Sequence, residues 1–214
     1  MNSPAPARAQ RQVRGRIDKR NAVLDAALAV FARVGFEQAG MDTVAAEAGV
    51  AKPTIYNHFG DKETLLREVL GMVTDDINAR GLIAVHELHP DAPDLRTALA
   101  ETGVRLMECL ACRQAVAVRQ LLAAESVRFP ELLTEAQASG LDRMLDLLAA
   151  RFAAMERAGR LALSSPEVAA RHFFALVSNE LMILSSQGAR IDEATLHRVV
   201  ESGVDTFLRA FAVR

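Results

Sequence analysis

The amino-acid sequence predicts an all-α protein of about nine helices. In most segments apolar side chains recur every three or four residues, as they do along one face of a helix. Alanine and leucine are abundant, whereas the 214 residues include only 12 glycines and 7 prolines, which is below average use. Few segments alternate apolar and polar residues, so little of the chain is expected to form strands.

The N-terminal part is predicted to be a flexible basic arm followed by three helices. Residues 1–15 contain two prolines, a glycine and little apolar material beyond alanine, which is typical of a flexible terminus. The first helix is expected from about 18 to 34, where Gly35 ends it with a left-handed cap. Two short helices are expected at about 41–48 and 53–59.

Longer helices are predicted over the rest of the chain. They are expected at about 62–80, 94–111, 113–128, 141–157, 166–187 and 192–212. Asp61 and Ser165 are suited to cap two of them, and Pro130 is expected to end the helix before it. The sequence therefore predicts two domains, a small head (residues 16–62) and a larger body (residues 63–214).

Positive charge is concentrated at the start of the chain. Residues 1–62 carry nine positive and six negative side chains, and six of the nine positive ones lie within the first twenty residues. The remainder carries 16 positive and 21 negative side chains. A basic head on an acidic body favours contact with a polyanion such as nucleic acid. The alternative is a solvated, disordered tail.

Several classes of protein are excluded or disfavoured. Two cysteines rule out a disulfide scaffold and fit a reducing cytoplasm. No run of about 18 apolar residues is present, so no membrane span is predicted. No nucleophile, phosphate-loop or dinucleotide motif occurs, so an enzyme is disfavoured and no cofactor is predicted. The histidines lack ligand partners at metal-binding spacing, so no metal site is predicted.

The two short helices of the head have the spacing of a helix-turn-helix. Gly49 lies in the turn between them, where its freedom to adopt positive φ lets the chain reverse. The second helix places small polar and basic side chains outward, and such a helix fits the DNA major groove. These side chains are Lys52, Thr54, Tyr56, Asn57 and His58. The alternative is an ordinary three-helix subdomain without a nucleic-acid partner.

A set of short motifs follows at fixed intervals through the head. They are Ala26-Ala27-Leu28, Phe31, Gly35-Phe36, Val44-Ala45, Ala48-Gly49-Val50, Thr54-Ile55-Tyr56-Asn57-His58-Phe59 and Asp61-Lys62-Glu63-Thr64-Leu65. Over residues 18–66 this pattern resembles the DNA-binding head of the TetR (tetracycline-repressor-like) family of bacterial regulators. The resemblance implies that residues 51–59 form the recognition helix.

The resemblance also implies roles for individual side chains. Thr54 and Asn57 would be among those nearest base edges. Tyr56, His58 and Lys62 would contact phosphates, which set register rather than sequence preference. Further DNA contacts are expected from Thr43, Arg14 and Arg16.

Two positions depart from the family pattern, because Gly40 and Ala51 stand where serine or threonine is usual. Neither residue offers a side-chain oxygen to cap a helix or to contact phosphate. The basic arm, Arg8 to Arg20, is expected to compensate by reaching along the DNA backbone or into the minor groove.

The two C-terminal helices are predicted to form a homodimer interface. Helix 166–187 is apolar beyond one stripe, so it must be buried on more than one side, and helix 192–212 carries an apolar seam. The resemblance implies that these helices pair with their symmetry mates in a four-helix interface. The expected interface residues are Phe174, Val177, Leu181, Leu184, Val200, Val204, Phe207 and Phe211. The alternative is that both helices bury in one monomeric core.

The middle helices are predicted to enclose a ligand pocket, as the resemblance implies. Glu125 and residues 128–132 resemble the C-terminal domain of the AefR-like repressors, a subgroup of the family. The expected pocket residues are Met72, Met107, Leu110, Leu122, Met144, Leu148, Phe152, Phe173 and Asn179. Asn179 is polar inside an apolar run and is expected to anchor the ligand or to bond a neighbouring helix. At every position ordinary core packing is the alternative.

Cys109 and Cys112 offer a different sensing chemistry. On a predicted helix their spacing places both thiols on one face, as a redox or metal sensor would need. Their apolar neighbours would raise the thiol pKa and favour unreactive cysteines instead.

These observations predict a ligand-responsive, sequence-specific DNA-binding regulator in the bacterial cytoplasm. A homodimer would bind a near-palindromic double-stranded operator and repress transcription until a small apolar effector releases it. The alternatives are a redox-responsive regulator that uses Cys109 and Cys112, a non-specific architectural DNA binder, and a ligand-carrying helical protein with a vestigial head.

Overall fold

The computed structural model describes the backbone of residues 5–132 and 140–213, and side chains from Ile17 onward within those ranges. Nine complete helices lie in these ranges and confirm the all-α fold class. They are α1 (Ala5–Gln38), α2 (Met41–Glu47), α3 (Lys52–Phe59), α4 (Lys62–His86), α5 (Leu95–Ala111), α6 (Arg113–Glu125), α7 (Leu141–Arg157), α8 (Pro166–Ser186) and α9 (Glu193–Phe211). None of these described helices combines the length and apolar character needed to cross a bilayer.

The described residues fall into two compact units. The first contains the chain up to Val73 together with a segment that begins at Ala117 and includes the end of α6. The second contains Thr74–Val116 and the helices from α7 onward. Helices α4 and α6 therefore contribute residues to both units.

Glycines and a capping aspartate explain where the helices of the first unit end and begin. Gly35 adopts φ 76° and ψ 166°, so α1 leaves the helical conformation there, as predicted, before continuing to Gln38. Gly60 follows α3 with φ 77°, a conformation open to glycine because it has no Cβ. The Asp61 carboxylate then accepts a hydrogen bond from the Thr64 N–H (2.7 Å) and caps α4.

Helix α1 begins earlier than the sequence predicted. It starts at Ala5 rather than near residue 18, so the predicted flexible arm is helical from Ala5 onward. The alanines, glutamines and arginines of this stretch favour helix, and Pro6 is tolerated because it lies in the first turn. The helix-favouring residues of this stretch therefore outweigh its Pro6 and Gly15.

Two other boundaries also differ from the prediction. Helix α4 continues to His86 rather than ending near residue 80, and Gly81 lies inside it at a packed position. A Cβ on Gly81 would lie 3.6 Å from Leu106 and Met144. Helix α6 ends at Glu125 rather than 128.

Three phenylalanine rings from different helices lie at the centre of the second unit. Phe152, Phe173 and Phe207 are fully buried, and their ring centroids are 5.1 to 5.6 Å apart, a favourable range for aromatic pairs. Helices α8 and α9 approach closely beside them at Gly203. A Cβ on Gly203 would lie 2.7 Å from the Leu176 carbonyl oxygen, so the crossing depends on a residue without a side chain.

Polar side chains cap the three helices α5, α8 and α9. Asp94, Ser165 and Asp192 each accept a hydrogen bond from the backbone N–H three residues later, at 3.2, 3.2 and 2.8 Å. These bonds satisfy N–H groups that have no partner within the helix. The cap predicted at Ser165 is thereby confirmed.

Candidate nucleic-acid interface

Helices α2 and α3 form the predicted helix-turn-helix. Gly49 adopts φ 65° in the turn, and the Val50 N–H donates to the Ala45 carbonyl (3.0 Å). The apolar side chains between the helices are Val44, Ala45, Ile55 and Phe59, and all four are buried. Their burial fixes which face of α3 remains outward.

The outward face of α3 carries the side chains that the sequence predicted to meet DNA. Lys52, Tyr56 and Asn57 are exposed, and Thr54 and His58 are half-buried. A phenol, an amide and an ammonium on one short helix provide the donors and acceptors that base edges and phosphates use. The structure therefore brings five predicted contacts onto one surface.

The N-termini of α2 and α3 have no side-chain cap, as the sequence predicted. Gly40 and Ala51 occupy the N-cap positions with extended backbone, and neither makes a side-chain hydrogen bond to the helix. Thr43 is exposed in the first turn of α2. The Thr43 hydroxyl is therefore exposed near the start of α2, where the N-cap residue Gly40 has no side-chain hydroxyl.

Lys52 is held by a carboxylate that the sequence prediction did not include. Its Nζ lies 2.9 Å from Asp42 Oδ2, and both side chains are exposed. The hydrogen bond and charge of Asp42 raise the pKa of Lys52 above its ordinary value. A phosphate that binds Lys52 must compete with Asp42 for the same ammonium. The ten-residue separation falls outside any local charge pattern, so sequence reasoning had no signal for this pair.

Lys62, the first residue of α4, makes contacts within the chain that the resemblance did not include. Its Nζ donates hydrogen bonds to the carbonyls of Phe36 (2.8 Å), Glu37 (3.1 Å) and Ala39 (3.1 Å), and it lies 4.5 Å from the Phe36 ring centroid. An ammonium has three N–H donors, and all three are used. This side chain therefore caps the C-terminal end of α1, and its expected contact with phosphate stays a prediction.

Two arginines of α1 pair with carboxylates on other helices of the first unit. Arg33 binds Glu47 of α2 through both oxygens (2.7 and 3.3 Å), and this hydrogen bond lowers the pKa of Glu47. Arg20 pairs with Glu68 of α4 and lies 5.7 Å from the Phe59 ring centroid. Both arginines thus position α2 and α3 against α1. The sequence predicts this positioning role for neither arginine.

Arg14 and Arg16, the DNA contacts expected from the arm, lie on helix α1. Their side chains fall outside the described residues, so their part in DNA binding stays a prediction.

The predicted dimer-interface residues divide into two groups. Val177, Leu181, Val200, Val204 and Phe207 are fully buried within the chain itself, so no surface of theirs is left for a partner. For these five the prediction is corrected: they are core residues of the second unit. The half-buried members are Phe174, Leu184 and Phe211.

Most predicted pocket residues are packed in the core of the second unit. The buried ones are Met107, Met144, Leu148, Phe152 and Phe173, with Leu110 half-buried beside them. Met72 and Leu122 belong to the first unit. Asn179 is exposed on α8, so its expected role as a buried polar anchor is corrected. The apolar spacing of α8 predicts burial on more than one side, but Asn179 lies on an exposed side.

A surface cleft of about 470 Å³ lies elsewhere in the second unit. Its lining residues are Ala84, Glu87, His89, Ala92, Ala98, Glu101, Thr102 and Arg105. None of them was among the predicted pocket residues, and half of them are charged or titratable.

The two cysteines do not share a helical face, contrary to the prediction. Cys109 is buried in the last turn of α5, whereas Cys112 lies between α5 and α6 with extended backbone. Burial raises the pKa of the Cys109 thiol, as its apolar neighbours suggested. A raised pKa lowers the thiolate fraction, and thiolate is the reactive form.

The fold and the α3 surface define a DNA-binding protein of the helix-turn-helix class. Residues 23–69 match the family model described as bacterial regulatory proteins, tetR family. Residues 97–213 match the model of the C-terminal domain of AefR-like transcriptional repressors, which alone covers more than half of the chain. The chain belongs to the TetR family of transcriptional regulators, and its C-terminal domain is AefR-like.

Solved structures and a curated protein agree with this assignment. A TetR-family transcriptional regulator from Mesorhizobium loti MAFF303099 is 28% identical over 92% of this chain and 98% of that one, with a TM-score of 0.82. The flavonoid-responsive regulator FrrA is 28% identical over the same shares, with a TM-score of 0.69. The HTH-type transcriptional activator FasR of Mycolicibacterium smegmatis is 42% identical over 62 residues, which are 29% of this chain and 28% of FasR. The match therefore spans less than a third of FasR.

Proposed function

We propose that this regulator is a homodimeric repressor that binds a near-palindromic operator and is released by a small apolar effector. The observation that carries the proposal is the exposed polar face of α3, held by a buried helix-turn-helix core. The match to AefR-like repressors supports repression, although the FasR relative is an activator. We also infer that the protein acts in the bacterial cytoplasm, where its operator would be.

The proposed DNA contacts follow from exposure. Asn57 is the candidate for base recognition, because a side-chain amide can bond adenine in two places. Tyr56, Lys52 and Thr43 are exposed beside it and are suited to phosphates, which fix register. Thr54 and His58 are half-buried, and we place them at the edge of the contact.

The dimer is proposed on the exposed side of α8. Ile183 is 48% exposed, and the exposed Asn179 lies about one turn earlier on the same face. Solved relatives belong to a family whose members usually act as dimers, which supports this choice. In a two-fold dimer, two heads would meet operator half-sites about one helical turn, or roughly 34–36 Å, apart.

Sedimentation velocity at micromolar concentration tests the dimer. We expect a dimer for the wild type and a shift to monomer for Ile183→Glu, because a buried unpaired charge opposes association. Ile83→Glu on α4 is the matched control, since Ile83 is also an exposed isoleucine. An Ile183→Glu protein that sediments like the wild type would place the interface elsewhere.

The effector is proposed to enter the second unit among its methionines and phenylalanines. Met107, Met144 and Phe152 are buried there, and methionine side chains adapt to varied apolar shapes. The name of FrrA states that it responds to flavonoids, which supports planar aromatic effectors for this chain. The ligand must bind the DNA-free state better than the DNA-bound state to act at all.

A promoter-reporter assay tests the sign and the response together. The DNA just upstream of the coding region drives the reporter, with and without the regulator, and with a panel of planar polyphenols and aliphatic compounds of equal size. Repression that a polyphenol relieves supports the proposal. Higher reporter expression with the regulator present would make it an activator, and a response to oxidants lost in Cys109→Ser would favour redox sensing instead.

A further inference from the structure

The segment Arg128–Leu132 leaves α6 and packs into the first unit; we refer to it as the clasp. The N–H groups of Arg128 and Phe129 both donate to the Glu125 carbonyl (3.0 and 2.8 Å), so the clasp turns directly from the end of α6. Phe129 and Leu132 are buried, at 7% and 5% exposure. The clasp therefore belongs to the core of the unit that contains the helix-turn-helix.

Phe129 packs on the end of helix α1. Its ring meets that of Phe36 edge to face, with centroids 5.4 Å apart and planes at 88°, which is a favourable arrangement for two aromatic rings. Phe36 follows Gly35, where α1 leaves its helical conformation, and is itself 3% exposed. Phe129 thus covers the ring that closes the end of α1.

Charged side chains of the clasp hold both neighbouring elements. Arg128 lies 5.2 Å from the ring centroids of Phe36 and Phe129 and pairs with Glu37. Glu131 pairs with Arg67 of α4 at 2.7 Å. These pairs are exposed and each contributes little alone, so they orient the clasp while Phe129 anchors it.

The same corner determines where the helix-turn-helix begins. Lys62 contacts the Phe36 ring and takes the last carbonyls of α1, and Gly40, the N-cap of α2, follows within a few residues. A shift of Phe36 would therefore move the end of α1, the start of α2 and the start of α4 together. Helix α3 packs on α2 and would follow.

We infer that Arg128 and Phe129 are positioning residues for DNA binding, and that the DNA-binding unit is discontinuous in sequence. The N-terminal family match ends at residue 69, and the clasp falls in the match to the C-terminal domain. A small head buries limited apolar surface of its own, and the buried Phe129 adds to its core from outside the N-terminal segment. The inference rests on the proposed DNA binding, because it names residues that place the recognition helix α3.

The test uses full-length Phe129→Ala, Phe129→Leu and Arg128→Ala proteins, with Val127→Ala as the matched control. Val127 is the neighbouring residue and is 95% exposed. Hydrogen exchange is measured on each protein without DNA, and affinity for the upstream DNA is measured at several salt concentrations. For Phe129→Ala we expect faster hydrogen exchange in α2 and α3 and unchanged exchange in α8 and α9. We also expect this variant to lose at least about tenfold in DNA affinity, which is a common size for coupling between two elements. Val127→Ala should match the wild type, and Phe129→Leu should fall between.

Two results would overturn the inference. One is unchanged hydrogen exchange in α2 and α3 for both Phe129 variants, which would show that the clasp does not stabilise the helix-turn-helix. The other is a fall of about one in the salt slope for Arg128→Ala, since that result marks a lost phosphate contact. The exchange measurement needs no DNA, so it tests the role of the clasp separately from the proposed function. The proposed function would fail if the wild-type protein showed no preference for the upstream DNA.

Discussion

Lys52 and Lys62 carry the same charge in different surroundings, and their roles differ accordingly. Lys52 is exposed beside Asp42, and an exposed ion pair contributes little to stability. Lys62 is half-buried and gives all three donors to backbone carbonyls. Hydrogen bonds from a charged group contribute more to stability than hydrogen bonds between neutral groups. Lys52 therefore faces solvent, where a phosphate would compete with Asp42 for its ammonium, whereas Lys62 stabilises the head.

Alanine substitutions separate these two roles. We expect Lys62→Ala to lower the free energy of unfolding by about 1–3 kcal/mol. Lys52→Ala should leave the free energy of unfolding close to that of the wild type but reduce the salt slope of DNA binding by about one. Urea unfolding followed by circular dichroism and fluorescence anisotropy at several salt concentrations measure the two effects.

Lys19→Ala is the control for stability, because Lys19 is an exposed lysine of α1. A Lys62→Ala protein with the urea midpoint of the wild type and a salt slope lower by about one would contradict the stabilising role. That result would support the phosphate contact that the family resemblance implies for Lys62.

At the scale of single helices, Asp94 links the start of α5 to pH. Its carboxylate accepts from the Thr97 hydroxyl (2.6 Å) and the Thr97 N–H (3.2 Å). These hydrogen bonds hold the pKa of Asp94 below its ordinary value. A carboxylate whose folded pKa is lowered contributes stability above its unfolded pKa, and this contribution is lost as the pH falls through the folded pKa.

Asn and Ala substitutions at position 94 test this link. We expect Asp94→Asn to keep the cap at neutral pH, since asparagine caps as well as aspartate, and to reduce the loss of stability between about pH 5 and pH 2. Asp94→Ala should lower the urea midpoint at neutral pH as well. Asp91→Asn, an exposed loop carboxylate, should behave like the wild type. Equal acid sensitivity of Asp94→Asn and the wild type would contradict the assignment.

The crossing of α8 and α9 depends on Gly203. A Cβ there would meet the Leu176 backbone at 2.7 Å, and backbone gives way less readily than a flexible side chain. We expect Gly203→Ala to cost about 1–3 kcal/mol of unfolding free energy. Gly71→Ala in the exposed interior of α4, where a Cβ would meet nothing within 4 Å, should instead gain up to about 1 kcal/mol. Thermal unfolding of both proteins gives the comparison, and a stabilised Gly203→Ala would show that the helices can separate without cost.

At the scale of the whole molecule, local sequence predicted the helices and much of the site. The helix-turn-helix followed from Gly49 and the apolar spacing around it, and the missing caps at Gly40 and Ala51 could be read directly from residue type. These features depend on neighbours within a few residues, which is the range over which residue patterns carry information.

Features that join distant segments could not be predicted in this way. Lys62 meets carbonyls 23 to 26 residues earlier, and Arg67 pairs with Glu131, 64 residues later. The apolar spacing of α8 showed that the helix is buried, but not whether its own chain or a partner covers each side. For this reason the sequence pattern alone does not distinguish the buried Val177 from an interface residue, or the exposed Asn179 from a pocket residue.

Binding to specific DNA through α3 is the central claim, and an anisotropy titration tests it most directly. Labelled DNA from just upstream of the coding region is compared with random DNA of equal length, at two salt concentrations, for the wild type and Asn57→Ala. We predict about 10³-fold or more preference for the upstream DNA, with much of it lost in Asn57→Ala. Equal, salt-sensitive binding of both DNAs, or a preference that Asn57→Ala leaves intact, would contradict recognition by this helix.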